Sequence, residues 1–172
     1  MTENKMREVK INKLVVNIGT GAEEPKLVNA RRLIETLTKR KPMDQLAKHR
    51  LPAFKIAKGQ KIGAYVTLRG SDAMDLAKRL FDAVGNKIDS RKVTSNSVSF
   101  GIKEYIDISG VKYDPKIGML GMNVNLSFMR SGLRVTQRKR RVAEIPESHR
   151  KISPEEIALF LKKNLDVEVV SA

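Results

Sequence analysis

The chain has 172 residues and no cysteine, which excludes disulfides, thiolate metal sites and a cysteine nucleophile and points to a reducing compartment. Its 34 Lys and Arg against 19 Asp and Glu leave a net charge of +15, a self-repelling surplus that calls for an anionic partner, nucleic acid before an acidic membrane surface. No apolar run approaches the ~18 residues of a membrane span, and the polar start MTENKMREVK lacks a signal-peptide core, so a cytoplasmic protein without a membrane partner is predicted.

Val9 to Ile18 is apolar and β-branched and reads as a strand. Pro25 opens a helix whose apolar positions Leu27, Ala30, Ile34 and Leu37 step by three and four. In the stretch FKIAKGQKIGAYVTLRG, Phe54 and Ile56 lead into the turn Lys58-Gly59-Gln60-Lys61, and Ile62, Ala64, Val66 and Leu68 lead out. That period of two predicts a β-hairpin with its aliphatic residues in the core, carrying Lys55, Lys58, Lys61 and Arg69 with no acid among them. Ser71 is placed to cap a helix with Asp72 and Asp75 in its first turn and Ala73, Leu76, Leu80 and Val84 as its buried stripe. VSFGIKEYIDI reads as strand, VKYDPKIGMLG as a turn-rich loop, and MNVNLSF as a strand with Met122, Val124, Leu126 and Phe128 on one face. Ser153-Pro154-Glu155-Glu156 is a capping box that starts a helix docked by Ile157, Phe160 and Leu161.

These elements predict an α+β fold, a mostly antiparallel sheet with helices packed on one face, basic loops and a basic C-terminal extension. Residues 1–129 form the RNA-binding core, and 130–172 add a basic segment and a helix packed on it within a single domain. The charge is concentrated: 39–61 holds eight basic residues and one acid, and 130–151 holds eight and two.

Catalytic readings find little footing. Asn17-Ile18-Gly19-Thr20-Gly21 lies between strand and helix, but Glu24 occupies the third glycine of a dinucleotide fingerprint, and Glu23 and Glu24 would repel a pyrophosphate. His49 and His149 sit among cations, which disfavours metal binding and general-base roles. Asp107 and Asp114 lack a third ligand, and no nucleophile–base arrangement is visible; no enzyme, metal or cofactor is predicted.

The tract Arg134, Arg138, Lys139, Arg140 and Arg141 is the stronger signal, since arginine forks grip phosphate oxygens in pairs. Aromatic residues make up only 5% and match no base-stacking sheet signature, so phosphate and sugar contact with a structured RNA is the expected mode. A chromatin-type DNA binder and a nucleotide-dependent enzyme using the Gly19–Gly21 turn remain open at this level.

The opening motif also carries a resemblance. Lys41-Pro42 followed by AFKIAKGQKIGAYVTLRG, together with LVVNIGTG and SFGIKEYIDISGVKYDPKIGMLGMNVNL, closely resembles the large-subunit ribosomal protein five family, which binds 5S ribosomal RNA. The short N-terminus and the tail from Arg130 resemble archaeal and eukaryotic members, archaeal above all. One departure stands out: the family's Gly-Gln before Lys-Pro is here Lys39-Arg40.

The resemblance implies a protein of the ribosomal central protuberance whose partners are 5S rRNA, large-subunit rRNA, P-site tRNA and neighbouring ribosomal proteins. It implies 5S contacts at Asn17, Arg40, Thr67 and Arg69, with Gly19 and Gly70 permitting close backbone approach. It implies a tRNA- or rRNA-facing loop carrying Lys48, His49, Arg50, Lys55, Lys58 and Lys61. The residues add a reason of their own: Thr67 and Arg69, two apart on a strand, share a face, while Val66 and Leu68 point into the core.

Overall fold

The apolar stretch at the start of the chain becomes the central strand of the molecule. In the computed structural model, which describes residue 4 and residues 6–170, β1 (Val9–Gly19) pairs on both sides. One neighbour is β3 (Lys61–Leu68), itself edged by β2 (Met43–Leu46); the other is β7 (Met122–Arg130), followed outward by β6 (Ser97–Ile102) and β5 (Val93–Thr94). Every pairing in this six-stranded sheet is antiparallel. A second, parallel pair joins β4 (Lys87–Asp89) to β8 (Glu168–Val170).

Side chains alternate across each strand, so one face collects Leu14, Val16, Ile18, Ala64, Val66, Leu68, Val98, Phe100, Ile102, Val124, Leu126 and Phe128, all buried. The covering layer is helical. From α1 (Glu24–Thr38) come Leu27, Ala30, Leu33, Ile34 and Leu37; from α2 (Ser71–Asp82) come Ala73, Leu76, Ala77, Leu80 and Phe81. Two short helices, α3 (Arg134–Gln137) and α4 (Glu147–Arg150), precede α5 (Pro154–Leu165), which adds Ile157, Leu161 and Leu165 to the same core. Each such aliphatic side chain contributes about 1.5–3 kcal/mol by leaving water. Among the described residues the opposite face of the sheet has no helical cover, and the expected class, an antiparallel sheet with helices on one side, is the one observed.

Local chemistry sets the ends. Pro25 sits in the first turn of α1, where a missing N–H costs nothing, and Lys39 closes that helix in the left-handed region at φ 52°. Gly70, not Ser71, precedes α2: its φ of 70° and ψ of −144° suit glycine alone, and the Ser71 hydroxyl bonds Asp72 at 3.3 Å rather than the helix backbone. Ser153 does cap α5, accepting from the Glu156 N–H at 3.3 Å. Glu156 does not return the bond; its carboxylate reaches Arg130 at 2.6 Å and ties α5 to the end of β7.

The Phe54–Gly70 hairpin is not formed. β3 pairs instead with β2, and residues 47–60 are a loop between them. Pro52 has a fixed φ and no N–H, so Pro52-Ala53-Phe54 turns as a 3-10 helix, with Lys55 left-handed at φ 55°. Phe54 is 70% exposed and Ile56 only partly buried, so the alternation that suggested a core strand runs around a turn. The strand expected through VSFGIKEYIDI likewise stops at Ile102; Tyr105–Asp107 is another 3-10 turn.

The base of the 47–60 loop is fastened by charge. Asp44 on β2 accepts from Arg31 of α1 at 2.6 Å and from Lys61 at 3.1 Å. Desolvation pushes its carboxyl upward, but the bonds from Arg31 and Lys61 outweigh it and hold the pKa below the ordinary 3.8. A lowered folded pKa means the stabilisation is complete above 3.8 and is lost as pH falls through the depressed value. Acid titration of the native protein followed by amide exchange should therefore loosen the β2–β3 edge below that range, and Asp44→Asn should show the same loosening at neutral pH. Unchanged exchange at the Ala47 N–H, which donates to Gln60 O at 2.8 Å, would contradict this.

Candidate nucleic-acid interface

The uncovered face of the sheet is built from the other half of each alternation. Strand register places Met43, Tyr65, Asn17, Asn123 and Gly101 in one row across five strands, and Thr67, Val15, Asn125 and Ser99 in the next. Gln45, Gly63 and Gly19 form a third row. These three rows are amide- and hydroxyl-rich and contain no charged residue. Such groups read sugar hydroxyls and base edges, whereas cations mainly grip phosphate.

Asn17 stands at the middle. It lies between a hollow of about 490 Å³, lined also by Val15, Asp44, Gln45, Leu46, Lys48, Tyr65 and Asn125, and one of about 330 Å³ shared with Gly19, Gly101, Lys103 and Asn123. The Asn17 Oδ1 is buried and accepts no hydrogen bond among the described residues. A buried acceptor without a donor costs about 1–3 kcal/mol, and the cost is relieved when a ligand donates to it.

Cations stand around this neutral centre. Thr67 is exposed in the row beside Val15. Arg69, just past the end of β3, donates to Asn12 Oδ1 at 3.3 Å and makes no ion pair among the described residues. Asn12 sits in the irregularity where the β1–β7 register shifts between Ile11 and Lys13. Arg40 differs: it leaves the turn after α1 and pairs with Asp72 of α2 at 2.6 Å. The Arg40 hydrogen bond and charge hold the Asp72 carboxyl below its ordinary range, so Arg40 offers less free charge than Arg69.

The loop residues divide too. Lys48, His49, Arg50, Lys55 and Lys58 are exposed on the loop, whereas Lys61 begins β3 and is engaged by Asp44. Lys48 lines the same hollow as Asn17, so the loop and the sheet face form one continuous surface. Arg134, Arg138, Lys139, Arg140 and Arg141 are all exposed or half-exposed, and none meets an acid within ion-pair distance among the described residues. Arg138 donates to its own tract's Arg141 carbonyl at 2.7 Å, which stiffens one turn of the arm.

Gln45, Tyr65, Asn123 and Asn125 were missed by the sequence reading. The two asparagines are the polar half of MNVNLSF, a signal that marks a solvent face but not which other strands complete it. Gly19 and Gly70, read alike from sequence, separate here. A Cβ at Gly19 would meet nothing within 4 Å and its φ is ordinary, while Gly70 holds a positive φ that side chains resist.

Comparison with known proteins gives the family. Residues 4–56 match the family model described as ribosomal protein L5, and residues 61–154 match the model of the same ribosomal family's C-terminus. The chain belongs to the ribosomal protein L5 family. The two matched segments meet at the 47–60 loop, beside the turn at Gly59. Relatives called large ribosomal subunit protein uL5 share 41% identity in Sulfurisphaera tokodaii, over 98% of this chain and 96% of the relative, and 42% in Methanoregula boonei, over 95% and 99%. A third, from Picrophilus torridus, shares 42% over 98% and 97%. These relatives are archaeal, as expected from the chain's ends, and the family is a structural one rather than an enzyme family.

Within this family member, Gly19→Ala should leave the urea midpoint nearly unchanged, within about 0.5 kcal/mol, yet weaken RNA binding in a gel shift by intruding on the face. Gly70→Ala should instead cost about 1–3 kcal/mol of stability through its strained backbone. Equal stability losses for the two would remove the distinction.

Proposed function

We propose that this protein is a non-catalytic component of the cytoplasmic large ribosomal subunit that binds 5S rRNA on the open face of its sheet. The basic arm from Arg134 to Arg141 grips large-subunit rRNA, neighbouring ribosomal proteins complete its setting in the central protuberance, and the 47–60 loop reaches P-site tRNA. The family membership supports the ribosomal assignment. The observation that carries the 5S reading is the buried, unpaired Asn17 acceptor in a neutral amide-rich field ringed by Lys48 and Arg69. Hydrogen bonds at the centre supply discrimination, and the surrounding cations supply affinity and orientation.

A gel-shift titration compares 5S rRNA with an unrelated structured RNA of equal length at ~0.15 M salt, where phosphate contact alone binds without sequence preference. Tighter binding of 5S rRNA is expected; equal affinity would reduce the surface to electrostatics. Arg69→Ala should weaken 5S binding by ~1–3 kcal/mol. Removing one arginine of the 138–141 tract should lower affinity mildly for every RNA and flatten the salt slope by about one unit. Identical behaviour of the two variants would refute the division between reading face and electrostatic arm. Folded RNA should also outcompete duplex DNA at matched salt.

A further inference from the structure

Phe54 is out of character with the other phenylalanines. The chain has five phenylalanines, and four are stacked in pairs inside or against the core: Phe81 with Phe100 at 4.8 Å between ring centres, and Phe128 with Phe160 at 5.4 Å. Phe54 is 70% exposed on the 47–60 loop. It contributes little to the fold in that position, because a phenyl ring stabilises by leaving water.

Its presentation is nevertheless fixed. The Phe54 N–H donates to Leu51 O at 3.1 Å and the Lys55 N–H to Pro52 O at 3.0 Å. Leu51 and Ile56 exchange two further bonds, at 2.9 and 3.1 Å, and close the turn behind the ring. Pro52 removes backbone freedom from the same segment. The whole turn hangs from the sheet by Ala47 and Gln60, and by Gly59 N–H to Ala47 O at 2.9 Å. A costly exposed ring on a rigid support is a contact element.

The charges say what it contacts. Lys48, Arg50, Lys55 and Lys58 are exposed on this loop, and none of them makes an ion pair among the described residues. An apolar protein patch pressed onto Phe54 would strip water from those cations without compensation. A polyphosphate chain compensates them, and its bases supply flat apolar faces. We propose that the 50–58 turn captures an unpaired nucleobase of a folded RNA, Phe54 stacking on the base while Arg50, Lys55 and Lys58 take the flanking phosphates. The base must be unpaired because a duplex covers both faces of its bases, leaving only loops, bulges and ends. This site rests on the reading that the loop meets RNA, and it adds a specific chemistry to it.

The chain has no tryptophan, so Phe54→Trp installs a single fluorophore at the site. That full-length variant is titrated with unfractionated transfer RNA and, separately, with inorganic polyphosphate at equal charge. The expected result is quenching by the RNA and none by polyphosphate. Phe54→Ala should weaken transfer RNA binding about 5- to 150-fold with an unchanged salt slope, and Phe54→Tyr should restore it. Circular dichroism and urea midpoints should match the parent for all variants, the ring being outside the core. If Phe54→Ala binds as tightly as the parent while Arg50→Ala with Lys58→Ala binds weakly, the loop acts by charge alone and the stacking proposal is wrong. If neither change alters affinity, the loop does not meet this RNA at all and the underlying reading falls as well.

Discussion

Everything on the reading face depends on how β1 is registered between β3 and β7. Leu14, Val16 and Ile18 go under the helices, and Val15, Asn17 and Gly19 go to the open side. A slip by one residue would bury the Asn17 amide and expose the aliphatics, at several kcal/mol for the unpaired polar groups and lost apolar burial together. The hydrophobic layer therefore does more than stabilise. It is the reference against which the amides are aimed, and the apolar face and the amide-rich face are two readings of one alternation.

This division also explains where the charge is. A net +15 could have been spread over the whole surface, yet the three central rows of the open face hold no charged residue. Cations at the centre would bind phosphate anywhere along an RNA and blur its register. In the proposed function the cations beside that centre, Lys48 and Arg69, draw the RNA in while the neutral groups test it. Arg40, partly neutralised by Asp72, belongs to neither group cleanly.

The strong elements were legible because their patterns are long. β1, α1, β7 and α5 each run nine residues or more, and the residues that the spacing placed inward in α1, β7 and α5 lie in the core or pack against it. The short strands β2, β4, β5 and β8, of two to four residues, were invisible, since their pairing comes from tertiary contact rather than propensity. Missing β2 is what produced the wrong hairpin: with no partner in view for β3, the alternating residues before it were the natural candidate. Asn17 and Thr67 were singled out through the family resemblance. Their union with Tyr65, Asn123 and Asn125 could not be, because a face spanning five strands is a property of register.

The Arg31–Asp44–Lys61 clamp has one last consequence, for how this region can change over evolutionary time. It fixes both feet of the 47–60 loop to the sheet and to α1, so the sheet is indifferent to what lies between them. Lengthening a loop whose ends are already held costs little, about 0.6 kcal/mol per doubling. Insertions and deletions beyond Lys48 would alter only how far the turn reaches. The fold thus offers a point where reach can be adjusted without disturbing the amide-rich face.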